Sequence, residues 1–99
     1  MKTDNIKEIG IDDEGRLFIR PEKEQFHMIW RSATEVHWDN DGFLYSPKPR
    51  EWSYLDWYKH IVAIAEDHGC KLITTEMTRW ISIPDELRNE IVALKKNEV

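Results

Sequence analysis

The chain has one cysteine, Cys70, so no disulfide can form within it, and a reducing compartment fits. Its four glycines fall at turns or at the ends of elements, which leaves no Gly-rich cradle for a phosphate. No nucleophile-elbow pattern is present either. Apolar runs are short, and none approaches the roughly 20 residues a membrane helix needs. The opening residues, Met1 to Glu8, hold no apolar stretch of the secretory-signal kind. Basic residues are in deficit: 14 Lys and Arg face 19 Asp and Glu, for a formal net charge of −5. Such a balance disfavours nucleic acid as a partner, because that binding leans on phosphate neutralisation. The expectations are a cytoplasmic protein with no membrane, nucleic-acid or cofactor partner.

What the chain has in excess is tryptophan, five in 99 residues. Two readings are open. A small domain can fill its core with large rings, each burying about 150–250 Å². Alternatively, the rings build an aromatic binding surface.

The strongest local signal runs from Ser46 to Gly69. Ser53 is an N-cap residue, and Asp56 three positions on can reach back to close a capping box. Trp52 and Trp57 have the spacing of a hydrophobic staple. Tyr54, Trp57, Tyr58, Ile61, Ile64 and Ala65 recur at three and four, as one buried helical stripe. Gly69 is a C′ stop, and Pro47 and Pro49 keep other structure out of the start.

Upstream, Ile6–Ile11 and Leu17–Arg20 flank Asp12-Asp13-Glu14-Gly15 as a β-hairpin. From Glu22 to Trp38 the pattern is ambiguous. Phe26, Ile29, Trp30 and Ala33 fit helical spacing, whereas Phe26, Met28 and Trp30 fit a strand. The lead-in Glu22-Lys23-Glu24-Gln25 favours a short helix over 23–33. A second hairpin follows, with Glu35–Trp38 and Phe43–Tyr45 around Asp39-Asn40-Asp41-Gly42; Val36 and Trp38 share one face and His37 takes the other. Beyond Gly69, Cys70–Thr75 and Thr78–Ile83 read as strands either side of Glu76-Met77. Pro84 opens a last helix with Asp85 and Glu86 in its first turn and Leu87, Ile91 and Leu94 as its stripe. Lys95 and Lys96 complement its dipole, and the last residues are expected to fray. The sum is one α+β domain over 1–99, an antiparallel sheet of β-hairpins covered by two to three helices.

Chemistry is sparse. His27, His37, His60 and His68 form no tight ligand pair, so no metal site is expected. Cys70 follows a helix C-terminus, which raises a thiol's pKa, and reads as a buried strand residue. One polar constellation remains: Glu35, His37 and Asp39 alternate along a proposed strand and would share its face, as the outer face of an edge strand also does. The better surface is aromatic and basic. Tyr45, Lys48, Arg50, Trp52 and Tyr54 gather around two prolines, the composition of interaction hot spots. Trp52 as a helix staple and Arg50 paired with a carboxylate would explain the same residues structurally.

Arg50–Tyr58 (Arg-Glu-Trp-Ser-Tyr-Leu-Asp-Trp-Tyr) and Thr78–Leu87 (Thr-Arg-Trp-Ile-Ser-Ile-Pro-Asp-Glu-Leu) resemble small bacterial proteins carried on mobile elements such as integron gene cassettes. The resemblance lies in the C-terminal half and brings no catalytic motif. It implies a dispensable bacterial cytoplasmic protein of unassigned function. Small acidic proteins of that kind are often oligomeric or bind another protein, as immunity proteins and antitoxins do. The expected function is therefore a non-enzymatic protein-interaction module, homo-oligomeric and accessory, immunity-like or antitoxin-like. The alternative is a small-molecule binder or minor enzyme with an aromatic-lined pocket.

Overall fold

A computed structural model describes residues 1–32 and 34–96. Six strands and two helices follow in the order β1 (Lys2–Ile11), β2 (Leu17–Pro21), β3 (His37–Asp39), β4 (Phe43–Tyr45), α1 (Tyr54–Asp67), β5 (Cys70–Ile73), β6 (Arg79–Ile81) and α2 (Asp85–Lys96). One sheet holds all six strands, in the order β3-β4-β2-β1-β5, with β6 also against β1. The fold is α+β.

Both expected hairpins are present. β1 and β2 pair antiparallel from Ile11↔Leu17 back to Ile6↔Pro21. Gly15 turns between them at φ +80°, which a side chain would resist. β3 and β4 pair through Trp38↔Leu44 around Gly42 at φ +99°. The sheet is nonetheless mixed. β5 and β6 form no hairpin with each other; both run parallel to β1, β5 along Lys2–Asn5 and β6 along Glu8–Gly10. Where one hands over to the other, β1 has a bulge between Ile6 and Glu8. There the Thr78 hydroxyl donates to the Ile6 carbonyl at 2.7 Å and accepts the Thr75 N–H at 2.9 Å, so the interrupted ladder leaves no orphaned group at that point.

Of the helix expected over 23–33, the described residues 23–32 form only a short turn. A single 3₁₀ turn spans Ile29–Ser32. The buried carboxylate of Asp4 instead accepts the Lys23 and Glu24 N–H groups, both at 2.9 Å, and Asn5 O accepts the Glu22 N–H. The start of the segment is thereby laid against β1. Ala33 lies outside the described residues, as do the ends that were expected to fray, residues 97–99, and the side chains of Lys95 and Lys96.

The two faces of the sheet differ. Ile9, Ile19 and Leu44 follow one another across it, with Trp38 and Trp80 at the flanks, and meet Trp57, Tyr58, Ile61, Ile64 and Ala65 of α1 and Leu87 and Ile91 of α2 in one core. Each large side chain so buried stabilises by about 1.5–3 kcal/mol. Opposite them, Gly10, Phe18, Tyr45 and His37 form the next cross-strand row. Gly10 lies within β1 because the Phe18 ring rests on it; a Cβ there would come within 2.4 Å of that ring. The helix α1 matches its sequence signals: Ser53 and Asp56 form a capping box, and Gly69 follows the end at φ +90°. Pro84 precedes α2, and its carbonyl accepts the Arg88 N–H at 3.0 Å.

Candidate functional site

The chain leaves β4 at Ser46, a buried residue tied to β2 from both sides: Ser46 N–H donates to Leu17 O, and Leu17 N–H donates to Ser46 Oγ. Pro47 and Pro49 then hold the segment out of any ladder until Ser53 caps α1. Facing this segment is the bend at Thr34 and Glu35, where Glu35 adopts φ 64°. His60, on α1, reaches that bend: its Nε2 lies 3.1 Å from Thr34 O. A carbonyl only accepts, so Nε2 carries the proton.

Between the bend and the proline segment lies a groove of about 730 Å³. Its walls include Thr34, Glu35, Lys48, Arg50, Glu51 and Trp52, over Trp57 and His60. Three rings cluster there. Trp52 sits 4.9 Å from Trp57 and 5.2 Å from His60, and Trp57 is 5.6 Å from His60, the two imidazole contacts being edge-on. Trp57 is buried, whereas Trp52 is 46% exposed. Lys48 and Arg50 form no ion pair among the described residues. In two of the lining residues a polar atom, Trp57 Nε1 and Thr34 Oγ1, is buried with no hydrogen-bond partner among the described residues. An orphaned buried donor costs about 1–3 kcal/mol.

Stacking, ion pairing and hydrogen bonding are what this arrangement offers. Among the described residues no three His, Cys, Asp or Glu side chains converge as metal ligands. Cys70 is buried in β5; burial, with Glu24 and Asp4 adding to it, pushes its thiol above the usual range and away from the reactive thiolate.

The structure unites Lys48, Arg50 and Trp52 at the groove and leaves Tyr45 and Tyr54 out of it. Tyr45 belongs to the opposite sheet face, stacked on His37 at 5.2 Å beneath the Arg16 guanidinium. Tyr54 turns towards the first hairpin and donates to Gly15 O at 2.8 Å. The polar trio is divided too. Glu35 precedes β3 in a left-handed conformation and lines the groove, so it does not alternate with its two neighbours along a strand. His37 belongs to the Tyr45 row, and Asp39 accepts the Asp41 N–H in the turn. Sequence reasoning missed Trp57 and His60 as site residues. Their i, i+3 spacing puts both on one helix face, one turn from the Trp52 staple, and that was the available signal.

No helix among the described residues is long and apolar enough to cross a membrane. A search among curated proteins gives no match. The family model for Integron Cassette Protein Hfx_Cass5 matches residues 4–78, so the likeness extends well into the N-terminal half, beyond the segments that first carried the resemblance. A solved structure titled as that protein, from the mobile metagenome of the North West Arm sewage outfall, shares 42% identity over 94% of this chain and 95% of its own, with a TM-score of 0.49. The chain belongs to the Hfx_Cass5 family of integron cassette proteins.

Proposed function

We propose that the protein is a non-enzymatic interaction module that binds other protein chains, its own copies included, through the groove at the start of α1. The observation that carries this reading is the groove's composition. An exposed tryptophan stands on a proline-braced segment beside α1 with Arg50 and Lys48, neither of which has an ion pair among the described residues. Tryptophan and arginine are the side chains that dominate binding energy at protein interfaces. Trp52→Ala and Arg50→Ala are expected to weaken association at least tenfold in light scattering while the circular-dichroism melt stays cooperative. Loss of folding in either variant would make those residues structural and remove the main support.

A second reading, small-molecule binding, is favoured by the groove's volume, which falls within the roughly 300–1,000 Å³ of ligand pockets. A thermal-shift screen separates the two. A ligand at about 100 times its dissociation constant stabilises by roughly 2.7 kcal/mol, a shift on the order of 10–20 °C in a domain of this size. A flat screen counts against it.

A further inference from the structure

Resting on that reading of the groove, we propose that it accepts an acidic protein segment, one in which a carboxylate neighbours a flat apolar side chain. Three observations converge. First, Trp57 is 7% exposed, lines the groove, and has an indole N–H with no partner. An indole nitrogen donates and never accepts, so only an acceptor oxygen relieves it. Thr34, another lining residue, has a buried hydroxyl with no partner among the described residues and is a second donor. Second, Lys48 and Arg50 bring to the wall two cations with no ion pair among the described residues, and a guanidinium can hold a carboxylate through two parallel hydrogen bonds. Third, Trp52 and His60 supply ring surfaces against which a flat side chain stacks.

Glu35 and Glu51 also border the groove and repel a second carboxylate. The groove therefore takes a single carboxylate, held by Lys48 and Arg50. The Trp57 N–H is closed to water, so the acid reaches it only as a neighbouring side chain shifts. Trp52, an exposed ring 4.9 Å from Trp57, is a neighbour that can do so.

The test reads the five indole N–H signals in a ¹H–¹⁵N spectrum of the full chain, with Trp52→Phe and Trp57→Phe assigning two of them. The probes are end-blocked Gly-Asp-Phe-Gly-Gly, its Asn counterpart, its Lys counterpart, and free phenylacetate. The acidic peptide is expected to move the Trp57 signal downfield and to bind at least tenfold tighter than the Asn peptide. Arg50→Ala should abolish that preference and Glu51→Gln should increase it. The Trp38 indole, also unpartnered but outside the groove, should stay still. Tighter binding of the Lys peptide would overturn the acidic class while leaving the groove a binding site. Phenylacetate moving the signal where the acidic peptide does not would overturn the protein segment and favour the small-molecule reading. No response to any probe overturns the proposal, while association lost in Trp52→Ala would still uphold the groove.

Discussion

The indoles of Trp52 and Trp57 lie 4.9 Å apart and bracket the Ser53–Asp56 capping box. The contact serves two ends. It fixes the angle at which the chain enters α1, and of the two rings that line the groove it leaves one buried and the other exposed. Removing the exposed ring should therefore cost little stability, and removing the cap more. Ser53→Ala deletes the acceptor for Asp56 N–H and is expected to cost about 1 kcal/mol, a fall of roughly 4–8 °C in Tm. Trp52→Ala should melt closer to the parent than Ser53→Ala does. A larger loss on Trp52→Ala would show that the staple is chiefly structural.

Gly10 is a packing glycine. Its Cβ would meet Phe18 Cζ at 2.4 Å and Ile81 Cβ at 3.0 Å. Gly10→Ala is expected to destabilise by about 1–3 kcal/mol through overpacking. Phe18→Ala in the same chain should recover part of that loss, because it removes the nearest atoms. Additive losses in a urea-unfolding cycle would refute the contact.

Asp4 holds residues 22–24 in place. With Asp4→Ala, the Lys23 and Glu24 N–H groups lose their acceptor, at an expected cost of about 1–3 kcal/mol. Hydrogen exchange should show faster exchange at those two amides first. Unchanged protection there would mean that the segment is held by Phe26 and Ile29 alone.

Asp12 gives a pH signature. Burial pushes its carboxyl up, but the Arg16 N–H, the Arg16 guanidinium and the Glu14 N–H outweigh that and hold it below the usual carboxylate range. A folded-state pKa below the unfolded one contributes stability that is present above the unfolded value, about 3.9, and is lost as pH falls through the folded value. At pH 7, Asp12→Asn should be less stable by about 1 kcal/mol, and the difference should narrow as pH falls below about 4. A difference independent of pH would mean that the charge is not what matters.

Local devices were the legible part of the fold. The cap, the staple, the α1 stripe, Gly69 and both hairpin turns act within a few residues of themselves, and the structure keeps them. Long-range pairing was not legible. Nothing within residues 70–83 shows that β5 and β6 both lie parallel on β1, because that pairing is set some 70 positions away. Residues 23–32 follow the same rule: their helix-favouring start is tied to Asp4 and Asn5, a long-range contact that the local pattern does not show. At the site, Lys48, Arg50 and Trp52 could be grouped because they are neighbours in sequence. Tyr45 and Tyr54 were grouped with them on proximity alone, yet alternation along β4 and rotation along α1 point them elsewhere.

Reversing one exposed charge, Arg50→Glu, and following association by sedimentation equilibrium over a range of concentrations tests the groove most directly. Arg50 is exposed and unpaired among the described residues, so the variant should melt with the parent. The expected result is a parent chain that self-associates and an Arg50→Glu chain that stays monomeric at the same concentrations. A monomeric parent, or a variant that associates as the parent does, would contradict the claim that this groove is where the protein meets its partners.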